Sequence, residues 1–177
     1  MDPVFDLTIR CSIAAILIGA AWHKLRAPYD FWGVVAGYQI VPTTLERPLA
    51  HALPIVEMLI ALMLLVPVFK IYATLLAICL FSLYAGAIFY NLMRGRTEID
   101  CGCGGFSSDQ RIHMGLVGRN IVIIALIAVT LGEPTSRDMI WLDAVSILAG
   151  TAMLLLLFVA ADTLMRNHAA FHHEARS

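Results

Sequence analysis

Cys101 and Cys103 sit one residue apart in a polar, glycine-rich stretch from Ile99 to Ser108, flanked by long apolar runs. Three chemistries fit a Cys-Gly-Cys pair. A zinc site needs four ligands at a recognisable spacing, and only His113 or Asp100 lie near enough in sequence to join the thiols; no metal centre is expected. Two unremarkable loop thiols are the second reading. The third is a redox pair. A disulfide across one intervening residue closes a small ring that departs from relaxed geometry, and strained, exposed disulfides are the ones that exchange. Gly102 lets the backbone form such a ring, while Gly104 and Gly105 give a partner close access. Cations favour the nucleophilic thiolate, and Arg94, Arg96, Arg111 and Arg119 are the candidates.

Two further residues stand out by where they are. Glu57 and Arg119 lie inside apolar runs, where charged side chains are costly, face the bundle interior and mark function by default. A structural ion pair is the competing reading. Lys24 closes the first apolar run, as an interfacial anchor or as a participant in the site, and Asn120 follows Arg119. Cys11 and Cys79 lie in apolar runs; a second redox pair and two small buried hydrophobes both fit, and the second is the simpler.

The elements that must hold these residues are membrane helices. The 177 residues are 60% apolar and 14% charged, with mean hydropathy +0.81, against about 25% charged for an ordinary soluble domain. A net charge of −1 points away from nucleic acid. About 20 apolar residues span a bilayer, and five segments qualify: 4–22, 49–69, 71–92, 112–131 and 139–164. Between the first two, residues 27–47 carry Pro28, Tyr29, Phe31, Trp32, Tyr38 and Pro42. Tyr and Trp favour the headgroup zone, so this segment is expected to be interfacial or re-entrant. Spans two and three form a helical hairpin, and residues 166–177 are a polar tail with His168, His172 and His173. No basic region precedes the first span, so it is expected to remain as a helix. The fold expected is an all-α integral membrane protein, one domain over 1–177. It is a four- to five-helix bundle with the cysteine loop between spans three and four.

Parity places the loop after span one, the cysteine loop and the tail on one face, with Lys24, Glu57, Arg119, Asn120 and Asp162 on or just below it. That side carries Lys24, Arg26, Arg47, Arg94, Arg96, Arg111, Arg166 and Arg176, against Arg10, Lys70 and Arg137 on the other. The positive-inside rule then puts the cysteine loop in the cytoplasm.

Several residues in order also carry a resemblance: His23-Lys24-Leu25, Tyr38 through Pro42, Leu53-Pro54 with Glu57, Cys101-Gly102-Cys103, and Gly118-Arg119-Asn120. Together they resemble the MauE family of methylamine-utilisation proteins, related to the DoxX-like membrane proteins, over spans one to four. Gly105 departs from the pattern, where Phe is more usual; here Phe106 comes one residue later. The resemblance implies thiol–disulfide exchange with a thioredoxin-like, MauD-type partner in the bacterial cytoplasmic membrane. It implies a role in maturing methylamine dehydrogenase, whose small subunit is rich in disulfides, or another disulfide-rich periplasmic protein. A periplasmic partner wants the cysteine loop outside, against the charge count; basic residues serving the site would distort that count, and the periplasmic placement is preferred. Cys101 and Cys103 would exchange disulfides, as a thiol–disulfide oxidoreductase does. Glu57 and Arg119 would relay a proton and stabilise charge, with Lys24, Tyr38 and Asn120 in support. No cofactor is firmly implied; a quinone fits near Tyr38, Phe31 and Trp32, where an aromatic belt explains the same residues. The alternative function is a non-enzymatic scaffold that docks a maturation partner. A small transporter lacks the paired broken helices it would need.

Overall fold

The computed structural model describes residues 2–97, 99, 101–102, 112–132, 135, 137 and 139–174, with side chains described as far as residue 167. Among these, regular structure is entirely helical: α1 (Pro3–Arg26), α2 (Pro28–Tyr38), α3 (Thr43–Leu65), α4 (Lys70–Met93), α5 (Met114–Val129) and α6 (Trp141–Glu174). A single 3₁₀ turn, Pro67–Phe69, joins α3 to α4, so these two helices form the expected hairpin.

Local signals explain most of the boundaries. Asp2 caps α1, its carboxylate accepting from the Val4 amide at 2.8 Å, and Pro3 occupies the first turn, where its missing N–H costs nothing. Gly95, at φ +70°, ends α4. The Gly95 amide donates to Leu92 at 3.0 Å and the Arg96 amide to Asn91 at 3.1 Å, the two bonds of a Schellman cap. His113 caps α5 by accepting from the Gly115 amide at 3.1 Å.

Three boundaries differ from the sequence reading. The segment 27–47 is not one interfacial piece: α2 fills its first part, and its end, from Thr43, is already α3. Pro48 and Pro54 both lie inside α3. A membrane helix tolerates them because neighbouring helices re-satisfy the freed backbone groups; the sequence reading began this span at Leu49 and already carried Pro54 within it. The tail is not separate either, since α6 continues through residues 166–174. Finally, α5 has only 16 residues, about 24 Å of rise against about 30 Å of hydrocarbon. Four helical segments are long and apolar enough to cross a membrane: Pro3–Arg26, Thr43–Leu65, Pro67–Met93 and Trp141–Asn167. The chain is a multi-pass, all-α membrane bundle.

Helix α1 is the axis of the bundle, packed by α2, α3, α5 and α6. Its Ile9, Ile13 and Leu17 meet Ile60 and Leu64 of α3, Leu80 of α4, and Ile123 and Ile127 of α5 in the main core. Ala14, Ala61, Ala73 and Ala77 are essentially fully buried there. Small residues let helix backbones approach when lipid tails are as apolar as the core and the hydrophobic effect gives no net pull. At Gly150 a Cβ would lie 2.9 Å from Thr8 Cγ2, so α6 packs closely on α1 at that point. The rest of α6 presents Leu148, Met153, Leu156 and Leu164 outward, as a lipid-facing helix does.

The end of the bundle away from the cysteine loop is tied by charge. Lys70 reaches Asp6 at 3.0 Å and the Gly132 carbonyl at 2.9 Å. Arg10 bonds Asp6 at 3.3 Å and donates to the Leu64 carbonyl. Arg137 bridges Asp143 at 2.8 Å and Asp2 at 3.4 Å. Arg10 and Lys70 bond carbonyls at helix ends, where they complement the negative pole of the dipole.

Candidate functional site

The cysteine loop is anchored at its base. The Ile112 amide donates to the Ile99 carbonyl at 3.0 Å, drawing the two ends of the loop together above α4 and α5. Cys101 is buried in a cluster with Tyr38, Ile88, Ile112 and Leu116, drawn from α2, α4, α5 and the loop base. The Tyr38 hydroxyl donates to the Cys101 carbonyl at 3.1 Å; α2 thus fixes the backbone of the first cysteine. Gly102 follows at φ +63°, and a Cβ there would lie 2.6 Å from Val34 Cγ1 and 3.3 Å from the Phe31 ring. Both the backbone angle and the close approach to α2 require glycine. Cys103, Asp100 and Arg111 lie outside the described residues, as do the side chains of His168, His172 and His173.

Below the loop, the intramembrane charges are all paired. Lys24 Nζ bonds Glu57 Oε1, and the pair is almost fully withdrawn from solvent, with side chains 3% and 1% exposed. The Tyr84 hydroxyl donates to the same carboxylate oxygen at 2.7 Å and lies 3.3 Å from Lys24 Nζ. The ammonium also sits 5.0 Å from the Phe31 ring centre and 4.9 Å from that of Tyr84, within cation–π range. Lys24 is therefore no interfacial anchor. It lies in the last turn of α1, but α2 and α3 close over it, and its stem runs inward rather than toward the headgroups.

Arg119 and Glu57 do not pair with each other. Arg119 bonds Asp162 of α6 and stacks on Phe158, 5.4 Å from its centre. What joins the two pairs is a cavity of about 20 Å³ lined by Glu57, Tyr84, Arg119 and Asn120 together with Phe81 and Phe158. Glu57 Oε2, Arg119 Nε and Asn120 Nδ2 have no hydrogen-bond partner among the described residues. A cavity of that size accommodates one water molecule, and a water needs two to four such polar neighbours. The arrangement is suited to moving or holding a proton between two buried ion pairs.

A second, larger space of about 720 Å³ lies between α2, α3 and α4. Phe31, Val34, Tyr38 and Leu53 wall it, and Lys24, Tyr84, Cys101 and Gly102 all line it. The first cysteine and the buried cluster thus share one cleft. Trp32 is not part of it: that ring packs in the α2–α3 cluster, with the Arg47 guanidinium 4.7 Å away. Arg26 over Trp22 at 4.8 Å and Arg94 over Tyr90 at 5.3 Å repeat the pattern on the same face. Cys11 and Cys79 are free thiols, Cys11 half-buried and Cys79 exposed along the wall of the same cleft. Among the described residues, no group of three His, Cys, Asp or Glu could hold a metal ion.

Sequence reasoning left out Tyr84 and underused Asp162. The signal for Tyr84 was available: a buried tyrosine hydroxyl seeks a partner, and Tyr84 lies in the middle of an apolar run. Phe81 and Phe158 carried no signal that distinguishes them from ordinary lipid-facing or core residues.

Fold and site together define a multi-pass helical membrane protein in which a loop cysteine stands over a buried Lys-Glu-Tyr cluster. Comparison with known proteins gives that class its family. The family model for methylamine utilisation protein MauE matches residues 2–132, and the chain belongs to this family. It is 36% identical over 173 residues to methylamine utilization protein MauE of Methylophilus methylotrophus, covering 97% of this chain and 91% of that one. Identity to the protein of that name in Paracoccus denitrificans is 32% over 165 residues (93% and 89% of the chains). In Methylorubrum extorquens it is 38% over 164 residues (93% and 83%). No solved structure matches the chain.

Proposed function

We propose that the protein is a membrane thiol–disulfide exchange protein serving methylamine utilisation, with Cys101 and Cys103 as the exchanging pair. A Cys101–Cys103 disulfide takes two electrons and two protons from a partner dithiol; its S–S bond breaks and the partner's forms, through a mixed disulfide. The partner is a thioredoxin-like protein of the MauD type, and the client is a disulfide-rich periplasmic protein such as the small subunit of methylamine dehydrogenase. The bilayer is the bacterial cytoplasmic membrane and the loop faces the periplasm.

The observation that carries this reading is the position of Cys101. It is 4% exposed, its carbonyl is held by Tyr38, and it lines the cleft that reaches Lys24 and Tyr84. Burial also divides the labour. A macromolecular thiolate cannot approach Cys101 directly, so the attack falls on Cys103, and Cys101 leaves and later resolves the adduct. Glu57 and Arg119 serve the protons released or taken up, with Asn120 between them.

The test is adduct trapping in the native membrane. Cys101→Ala accumulates a mixed disulfide with the thioredoxin-like partner, and Cys103→Ala does not. An adduct through Cys101 alone refutes the division of labour. Absence of any adduct, with maturation intact in the double variant, refutes exchange and leaves the scaffold reading.

A further inference from the structure

A dithiol formed by exchange must pass its electrons on, and the cleft beside Cys101 has the chemistry of an acceptor site. Its volume of about 720 Å³ falls within the roughly 300–1,000 Å³ range of small-molecule pockets. Its walls are mostly apolar, and its polar lining groups include the Lys24 ammonium, the Tyr84 hydroxyl, Ser82 and the Cys79 thiol. The rim includes Leu49, Leu83 and Tyr90, all exposed on the outer surfaces of α3 and α4. In a bilayer that rim faces lipid, so the cleft is entered sideways from the membrane. At the other end stands Cys101.

We propose that this cleft is a quinone site, where a membrane quinone entering from the bilayer is reduced by the Cys101/Cys103 dithiol. The proposal rests on the exchange reading above and names its electron acceptor. Two S–H bonds break and one S–S bond forms; two electrons and two protons pass to the quinone oxygens, giving the quinol. An acyl chain would fill the same apolar walls but has no acceptor for the Lys24 ammonium. A quinone carbonyl oxygen accepts from such a donor. Lys24 keeps a third N–H beyond those directed at Glu57 and Tyr84. Glu57 and Tyr84, hydrogen-bonded to each other at 2.7 Å, lie where protons must be exchanged as the oxygens are reduced.

The cleft also offers a way to block the ligand without touching the thiols. Gly86 lines it, and a Cβ at that position would meet nothing within 4 Å. Gly86→Leu therefore fills ligand space without a local clash at the Cβ. Leu83→Trp obstructs the exposed rim and serves as a second variant should the first fail to assemble.

The experiment uses the full-length protein, reduced and anaerobic in lipid nanodiscs, with decylubiquinone added. Quinol formation and loss of free thiols are followed together, and exchange with an oxidised thioredoxin is measured in parallel. The expected result is one quinol per dithiol in the wild type and a slowing of about tenfold or more, about 1.4 kcal/mol, in the variants, with thioredoxin exchange unchanged. Wild-type protein that exchanges with thioredoxin but yields no quinol overturns the quinone site and spares the exchange reading. Equal quinol rates in wild type and both variants also overturn it, as would a cleft that retains only phospholipid when decylubiquinone is in excess. Loss of exchange and quinol formation together removes the exchange reading itself.

Discussion

Replacing Lys24 by Met tests whether the buried cluster holds the bundle together at the level of the site. Methionine keeps most of the unbranched stem and removes the ammonium. Glu57, whose side chain is 1% exposed, is left with the Tyr84 hydroxyl at 2.7 Å as its remaining partner. Removing one member of a buried ion pair costs about 3–5 kcal/mol because the surviving charge is uncompensated. The lower end applies here, since one charged hydrogen bond, of about 1.5–3 kcal/mol, survives. Glu57→Leu strands the ammonium in turn, relieved only in part by the Phe31 and Tyr84 rings. The double variant Lys24→Met/Glu57→Leu removes both charges, and such replacements are often neutral or stabilising. The double variant is therefore expected to be more stable than either single one, by about 2 kcal/mol or more. Unfolding equilibria in mixed micelles, read by helical circular dichroism, give the three differences. Single variants within about 0.5 kcal/mol of wild type, or a double variant equal to the sum of the singles, would refute the pairing and the interior location of Lys24.

Other perturbations address the loop and the opposite end. Gly102→Ala forces a left-handed residue, a cost of about 1–2 kcal/mol, and places a methyl 2.6 Å from Val34; the loop should lift from α2, raising the rate at which Cys101 is alkylated. Tyr38→Phe removes the bond to the Cys101 carbonyl, about 0.5–1.5 kcal/mol, and should raise the same rate less, with no change in helix content. Gly150→Leu overpacks the contact with Thr8 at a cost of about 1–3 kcal/mol, and should loosen α6 from α1 in cysteine cross-linking between those helices. At the far end, the Val4 amide and then Arg137 hold the Asp2 carboxyl below its usual value. Its contribution is complete above the unfolded aspartate value of about 3.9 and fades as pH falls through the lowered folded value. Amide exchange in the first turn of α1 should therefore accelerate under acid, and Asp2→Asn should abolish that pH dependence.

The helices were legible because membrane spans are written as long apolar runs, and the α3–α4 hairpin because so few residues separate the two. The start of α3 was not, since its first turn, from Thr43 to Arg47, is mostly polar and reads as part of the interfacial segment before it. For the site, residue type and depth singled out Cys101, Cys103, Glu57 and Arg119, and the family resemblance added Lys24, Tyr38 and Asn120 in support. It did not say who pairs with whom. Glu57 and Arg119 are brought to one small cavity but take their counter-charges from Lys24 and Asp162, a choice made by helix rotation, which hydropathy does not encode. The burial of Lys24 was hidden for a similar reason: a basic residue at the end of a span ordinarily faces the headgroups, and only the packing of α2 and α3 over α1 reverses that. Gly102 was read as a residue that eases ring closure. The structure adds that it is also the contact point with α2.

The most direct measurement of the central claim is thiol labelling of Cys101 and Cys103 in intact and permeabilised cells, with and without prior reduction. Labelling in intact cells only after reduction is the predicted result, the behaviour of an exchangeable disulfide open to the periplasm. Labelling without reduction, and only after permeabilisation, would place reduced thiols in the cytoplasm and contradict it.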